Sequence, residues 1–375
     1  MSKTSLNILA IEPYMTGSHR SFLEGLRDHS RHEIEIWGMP GRKWKWRMRA
    51  SAISFARQLE EVETAPDVLF VSDYLDVATF KALIPQQFRD VPLVTYFHEN
   101  QLTYPVKDES DRDYQFIFTN ITSCLSSDAV WFNSRYHMEE FIQALPTFFR
   151  RMPDHVPEDV PQQIREKSSV LHLGIAAPQS KCKTAAAPGT ARIIAWNHRW
   201  EYDKYPELFF EALFRLDEKD FDFRLIVLGE SFRYSPPVFE EAAKRLAHRI
   251  EHFGFAASRE DYWKLLQASD IVVSTSNHEF FGLSVVEGIA AGCYPLLPMR
   301  LSYPEIIPLS LHADCFFSTD DEFEERLSDL LIAPLPPLET RLAAVAERYL
   351  WANRIEDFDN EFEALFELKN SFVSL

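Results

Sequence analysis

Short apolar runs and longer amphipathic stretches alternate along this chain twice over. The first cycle opens at residues 6–11, Leu-Asn-Ile-Leu-Ala-Ile, an apolar run that stops at Glu12-Pro13. Similar β-branched and aromatic runs over 33–37, 68–72, 93–97, 129–133 and 168–173 predict further strands. Helical patterns fall between them: residues 21–27 put Phe22, Leu23 and Leu26 on one face, and others lie over 49–60 and 115–126. Strands alternating with helices imply a parallel sheet covered on both faces. A proline-rich break over 146–161 and an aperiodic stretch over 174–189, rich in Ala, Pro, Lys and Ser, interrupt the pattern.

The second cycle predicts strands over 192–196, 223–228, 250–253, 270–275 and 294–297. Its helices are predicted over 207–216, 237–249, 259–268 and 283–291, and residues 338–375 read as helical, acidic on one side and aromatic on the other. The fold class is therefore α/β, with two doubly wound, Rossmann-like domains: 1–178, then 190–350, with a helical tail over 351–375. Two such domains joined by one linker are expected to face a shared cleft, with the carboxyl edges of both sheets lining it.

Composition narrows the function classes. A chain of 375 residues is long enough for two ordinary domains with a core each. No apolar stretch approaches the length of a membrane span, and the N-terminus lacks signal-peptide organisation. Cys124, Cys182, Cys293 and Cys315 form no metal-ligand spacing, which implies reduced thiols and a cytoplasmic protein. The net charge of −18 argues against general electrostatic binding to nucleic acid or lipid, though not against a local basic site.

The candidate chemistry sits where strands end. After the apolar run 271–273 come small polar residues, then Glu279-Phe280-Phe281-Gly282-Leu283-Ser284 and a helical pattern carrying Glu287. Such a strand, turn and helix presents backbone amides to a phosphate, with Glu279 and Glu287 placed to bind hydroxyls. Arg199 and Lys204 follow the first strand of the second domain, and two cations there suit a diphosphate. Read alone, the same loop is also an ordinary solvated turn. In the first domain, Gly17 and Ser18 lie in a loop after the first strand, and His98, Glu99 and Asn100 follow another strand. The segment 41–49 interleaves Arg42, Lys43, Lys45, Arg47 and Arg49 with Trp44 and Trp46. Cations that grip phosphates beside aromatic faces that stack on bases suit unpaired RNA; a helix with buried tryptophans and solvated cations carries the same letters. No P-loop, catalytic triad or zinc signature is present.

Arg199 and Lys204, followed by Glu279 and Glu287 around a Phe-Gly turn, resemble the donor-site pattern of retaining GT-B glycosyltransferases of family 4, and the whole chain fits that layout. The resemblance implies that Arg199 and Lys204 hold the donor diphosphate. Glu279 would bind hydroxyls of the sugar, Glu287 the ribose, and the turn Phe281 to Ser284 would approach the phosphate or sugar. Phe253 and Phe255 would lie by the nucleobase, and Gly17 and Ser18 by the donor. His98 would hydrogen-bond the sugar near the transition state, with His19, Glu99 and Asn100 toward the acceptor.

The strings KWKWR and FHENQLTYPV, with Pro153-Asp154-His155, closely resemble the tRNA-queuosine mannosyltransferases. That resemblance implies mannose transfer from GDP-mannose to queuosine in a tRNA anticodon loop, gripped by the 42–49 string, with no cofactor, metal or membrane. The runner-up is a retaining glycosyltransferase of the same fold with a glycan or small-molecule acceptor. A catalytically silent RNA-binding protein is the third reading, disfavoured because Arg199, Lys204, Glu279 and Glu287 are all present.

Overall fold

The computed structural model describes residues 5–106, 108–176, 190–230 and 235–373. It divides into two compact units, Met1–Gly174 with Trp351–Leu375, and Ile175–Leu350.

The first unit holds a six-stranded parallel sheet. Its strands are β1 (Asn7–Met15), β2 (Glu33–Pro40), β3 (Val68–Ser72), β4 (Leu93–Phe97), β5 (Ala129–Phe132) and β6 (Ser168–Val170), in the order β2-β1-β3-β4-β5-β6. β3 and β4 are buried throughout, as expected of strands with helices on both faces. The order reverses between β1 and β3, so the connections leaving their carboxyl ends run to opposite sides and open a crevice there.

The second unit repeats the plan. β7 (Arg192–Asn197), β8 (Phe223–Leu228), β9 (Ile250–Gly254), β10 (Ile271–Val273), β11 (Tyr294–Pro298) and β12 (Phe316–Phe317) lie in the order β12-β11-β10-β7-β8-β9. Here the reversal falls between β7 and β10.

Two segments depart from the sequence expectation. The helix Arg135–Phe149 runs through Pro146 rather than stopping at it. Pro146 sits in the last turn, where the rest of the helix is already formed, and burial of Phe148 and Phe149 holds the remaining residues in place. The proline at 161 lies in the first turn of another helix, Val160–Glu166, a position where its missing N–H costs nothing. The aperiodic stretch 174–189 lies mostly outside the described residues, as does Cys182.

The helical tail is not a separate segment. The helix Trp351–Val373 packs on the first unit, its aromatic face meeting the sheet's helices and strands. Phe358 and Phe362 are fully buried, with Phe362 5.0 Å from the Trp131 ring and Phe358 5.6 Å from Phe22. Asp359 accepts from the Ser30 hydroxyl at 2.5 Å, and Glu363 pairs with Arg31 at 2.7 Å. Trp351 fits because Gly25 and Gly174 have no side chain: a Cβ on either would come within 2.2 Å of the indole. Trp351→Ala is expected to destabilise the protein by about 3–5 kcal/mol, checked by denaturant unfolding. A change below about 1 kcal/mol would mean that the tail is not part of this core.

Among the described residues, no helix is long and apolar enough to cross a membrane. Cys124, Cys293 and Cys315 are buried, and the Cys293 thiol donates to the Leu266 carbonyl at 3.2 Å.

Candidate active site

In the second unit the crevice is lined by the loops that leave β7 and β10. β7 ends at Asn197, and the chain passes through Arg199 to a short turn, Tyr202–Lys204. β10 gives way to the buried residues Ser274, Thr275 and Ser276, then His278 and Glu279. The loops are tied together. The Asp203 carbonyl accepts from the Asn277 amide at 2.8 Å, and the Thr275 hydroxyl donates to the Lys204 carbonyl at 2.9 Å.

Lys204 is 5% exposed. Its ammonium donates to the His278 carbonyl at 2.7 Å and lies 3.4 Å from Glu279 and 3.1 Å from Asp203. Burial pulls Lys204 toward neutrality, but Glu279 and Asp203 outweigh it and raise its pKa. Burial likewise opposes charge on Glu279, yet Lys204 and its other neighbours take that carboxyl down to about 2. His198 and His278 fall to about 4, through burial and then the Lys204 charge, and are neutral imidazoles at working pH. Arg199, paired with Glu201 at 3.2 Å, carries the more exposed cation.

Glu287 is anchored differently. It accepts from the Tyr262 hydroxyl at 2.7 Å and pairs with Arg259, whose guanidinium lies over the Tyr262 and Trp263 rings. Tyr262 in turn accepts from the Asn197 amide at 3.0 Å, and Asn197 also donates to the Ser284 carbonyl at 2.8 Å. The end of β7 thus fixes both Glu287 and the first turn of the helix Leu283–Ala290. Gly282, which opens that helix at φ +96°, leaves no room for a Cβ beside the Tyr303 ring. Two buried atoms at this spot, Asn197 Oδ1 and His198 Nε2, have no hydrogen-bond partner among the described residues. Unsatisfied polar atoms grouped at a sheet's switch point suit a polar ligand. Phe253 stands half-buried against the Trp200 ring at 4.7 Å, whereas Phe255 is 74% exposed. The Phe281 ring is buried against Tyr349, and its carbonyl accepts from the Ser302 hydroxyl at 2.8 Å. Leu283 and Ser284 are half-buried, and the Ser284 hydroxyl lies 3.1 Å from His198 Nδ1.

The first unit gathers a second buried cluster at the ends of β1, β3 and β4. Glu12, fully buried, accepts from the Tyr14 amide at 2.7 Å, the Ser72 hydroxyl at 3.0 Å and His19 Nδ1 at 2.9 Å. The His19 ring lies 4.1 Å from that of His98. Asp73 accepts from the His98 amide at 2.9 Å. Burial depresses the His19 pKa, but Glu12 more than compensates and raises it to about 9. His98 is pushed well down by burial and by the His19 charge. The result is a cationic His19 beside a neutral His98. Burial also raises Asp73 well above the usual carboxylate range.

Among the described residues, Glu12, His19 and His98 form the one group whose ligand atoms are close enough to share a metal ion, all within 4.8 Å of one another. Glu12 accepts three hydrogen bonds here, one of them from His19 Nδ1.

Glu99 accepts from the Tyr74 hydroxyl at 2.7 Å and is half-buried. Asn100 is fully buried, and its carbonyl oxygen accepts from the amides of Leu102 and Thr103. It shapes its own loop, and its carboxamide is occupied there. Gly17 and Ser18 are exposed at the start of the helix Gly17–His29.

The basic-aromatic segment starts the helix Trp44–Leu59. It answers the two sequence readings with one tryptophan each. Trp44 packs on Phe116 at 5.0 Å in a small cluster with Met48 and Tyr74, while Trp46 is 70% exposed. Arg42, Lys43, Lys45 and Arg49 are exposed, and Arg47 is half-buried against the Pro40 carbonyl.

Residues 7–175 match the family described as tRNA-queuosine alpha-mannosyltransferase N-terminal, and residues 181–347 match glycosyl transferases group 1. The chain is 38% identical over 317 residues to the tRNA-queuosine alpha-mannosyltransferase of Drosophila melanogaster, covering 82% of this chain and 83% of that one. The chain belongs to the tRNA-queuosine alpha-mannosyltransferase family. The GDP-mannose:cellobiosyl-diphosphopolyprenol alpha-mannosyltransferase of Xanthomonas campestris is 24% identical over 201 residues, 52% of each chain. Two solved structures share the GT-B fold. Sucrose-phosphate synthase from Thermosynechococcus elongatus aligns at a TM-score of 0.72 and 13% identity, over 96% of this chain and all of that one. Anabaena HepE in complex with UDP and glucose aligns at 0.65 and 14%, over 96% and 99%.

For this tRNA-queuosine alpha-mannosyltransferase family member, the structure brings together Arg199, Lys204, Glu279 and Glu287 in one unit, and His19, His98 and Glu99 in the other. Sequence reasoning passed over Glu12, Asp73, Asn197, His198, Arg259 and Tyr262. Glu12 carried a signal, since a carboxylate at the end of a buried strand needs a partner, and His19 lies seven residues on. Arg259 and Tyr262 carried none, because nothing in a surface-helix pattern says which face meets Glu287.

Proposed function

We propose that this chain transfers mannose from GDP-mannose to a hydroxyl of queuosine in a tRNA anticodon, with retention of anomeric configuration, as a family 4 GT-B enzyme of the cytoplasm. One observation carries the reading. The likeness to the Drosophila enzyme spans both units, and the second unit keeps Lys204 and Glu279 paired at its switch point. The relative from Xanthomonas, whose name includes GDP-mannose, supports the choice of donor.

In this reading the bond from the sugar's anomeric carbon to the diphosphate oxygen breaks, and a bond to the acceptor oxygen forms on the same face. The acceptor's proton passes to the departing diphosphate, so no protein base is needed and GDP leaves. Arg199 and Lys204 stabilise the charge that builds on the diphosphate, the role fixed cations perform best in a desolvated site. Glu279 holds sugar hydroxyls, Glu287 the ribose, and the amides around Gly282 and Ser284 face phosphate or sugar. The neutral imidazole of His98 offers a hydrogen bond to the sugar. No metal takes part.

The test is to incubate the purified protein with queuosine-containing tRNA and a panel of sugar nucleotides, with and without EDTA, and to analyse the nucleosides by mass spectrometry. A hexose on queuosine with GDP-mannose, unaffected by EDTA, is the expected result. Transfer from another donor would correct the sugar nucleotide. Loss with EDTA would bring in a metal, and no hexose from any donor would overturn the tRNA assignment.

A further inference from the structure

We infer that the RNA-binding surface extends beyond the 42–49 string onto the helix Tyr114–Ser126 and Arg151, which together form a second stacking platform for unpaired bases. This rests on the tRNA reading above and deepens it.

The two helices are fastened side by side. Arg49 donates to Gln115 at 3.1 Å, Trp44 packs on Phe116 at 5.0 Å, and the Lys45 ammonium lies 5.8 Å from the Phe116 ring. Beyond this seam the second helix turns aromatic side chains outward. Tyr114 is 47% exposed and Phe118 39%, and a spacing of four residues puts them on one face. Among the described residues of the first unit, the exposed large aromatic side chains are Trp46, Tyr114 and Phe118, and all three are on these two helices. A water-facing aromatic cluster confined to one place marks a binding surface.

The rings are held rather than loose. Tyr114 and Phe118 each meet the buried Phe148 edge-on, at 5.7 and 5.2 Å. Arg151 donates to the Tyr114 hydroxyl at 2.8 Å, with its guanidinium 5.6 Å from that ring.

Charge selects the partner. Arg42, Lys43, Lys45 and Arg49 are exposed at the start of the helix that carries Trp46, with Lys45 by Phe116 and Arg49 on Gln115, in a chain whose net charge is −18. The neighbouring acids are engaged locally: Asp113 caps the helix through the Gln115 amide, Asp108 accepts from the Ser110 amide, and Glu109 pairs with Arg112. Rigid aromatic faces flanked by cations suit a single-stranded nucleic acid, whose bases stack while its phosphates pair. An anticodon loop presents such bases. An apolar protein partner would gain nothing from the cations.

The experiment measures steady-state transfer and tRNA binding for Tyr114→Ala/Phe118→Ala, Arg151→Gln and the ring-preserving Tyr114→Phe/Phe118→Tyr. The double alanine variant should raise the KM for tRNA about tenfold or more, with the KM for GDP-mannose unmoved. Arg151→Gln should make the dependence of log binding constant on log salt shallower by about 0.7. The ring-preserving pair should keep wild-type tRNA affinity, which a loss of packing alone would not explain. Unchanged tRNA KM and salt dependence in the first two variants, with wild-type transfer intact, would overturn this surface while leaving the tRNA reading standing. A wild-type protein that binds no tRNA would overturn both.

Discussion

Glu279→Gln should lower kcat/KM for transfer roughly 100- to 1000-fold while leaving tRNA affinity near that of the wild type. The substitution keeps the side chain's shape and removes its charge. Lys204 retains Asp203 at 3.1 Å and the His278 carbonyl at 2.7 Å, so the buried cation keeps partners and the loops stay tied. What goes is a carboxylate poised to accept from sugar hydroxyls, held ionised with a pKa of about 2. Because that pKa is depressed, the stability it contributes is present above the ordinary value of 4.5 and is lost only as pH falls through about 2. Glu279 therefore imposes no pH dependence on activity in any ordinary assay. Lys204→Ala would be the blunter change, since it strands buried Glu279 and Asp203 without their cation and should cost about 3–5 kcal/mol of stability. Full activity in Glu279→Gln would remove Glu279 from the donor site.

The second large effect concerns the other unit. Glu12→Gln should abolish the cationic state of His19 and with it the alkaline reach of the enzyme. In the wild type, Glu12 lifts His19 from 6.5 to about 9 against the pull of burial. A raised pKa in the folded state stabilises the protein fully below pH 6.5, by about 3 kcal/mol, and that increment disappears as pH rises through about 9. With glutamine in place, burial is left as the main influence, and His19 should titrate below its ordinary value of 6.5. His98, no longer facing a charged neighbour 4.1 Å away, should become easier to protonate. If transfer uses the His19 cation beside a neutral His98, the alkaline limb of the kcat/KM profile moves from about 9 to below 6.5. Activity at pH 7.5 then falls about tenfold or more. Thermal unfolding between pH 6 and pH 10 gives an independent reading, because only the wild type should lose this increment. A pH profile that does not move would separate His19 from the chemistry.

Much of this was legible in the sequence, for a physical reason. A parallel sheet buried on both faces demands continuous apolar runs, so β3, β4 and β8 could hardly be missed, and residues at strand ends fall at the carboxyl edge by construction. Hence Arg199, Lys204, Glu279 and His98 stood out by their places at strand ends, while the roles expected of them came from the family resemblance. Partnerships were harder. The Arg259–Tyr262–Glu287 chain depends on the rotation of one helix about its axis, and the seating of Trp351 on Gly25 and Gly174 on contacts between residues far apart in the chain. The segment 41–49 was ambiguous because its letters serve both purposes: Trp44 is packed and Trp46 is not. Pro146 shows local propensity yielding to burial, as Phe148 and Phe149 carry the helix past it.

The most direct test of the central claim compares two preparations of one tRNA, identical except that one carries queuosine and the other the unmodified base. Each is incubated with this protein and GDP-mannose, digested to nucleosides and weighed. The account predicts queuosine heavier by one hexose in the first preparation, no change in the second, and product formed far more slowly with Glu279→Gln. Hexose on neither preparation, with GDP-mannose still consumed by a different acceptor, would contradict it.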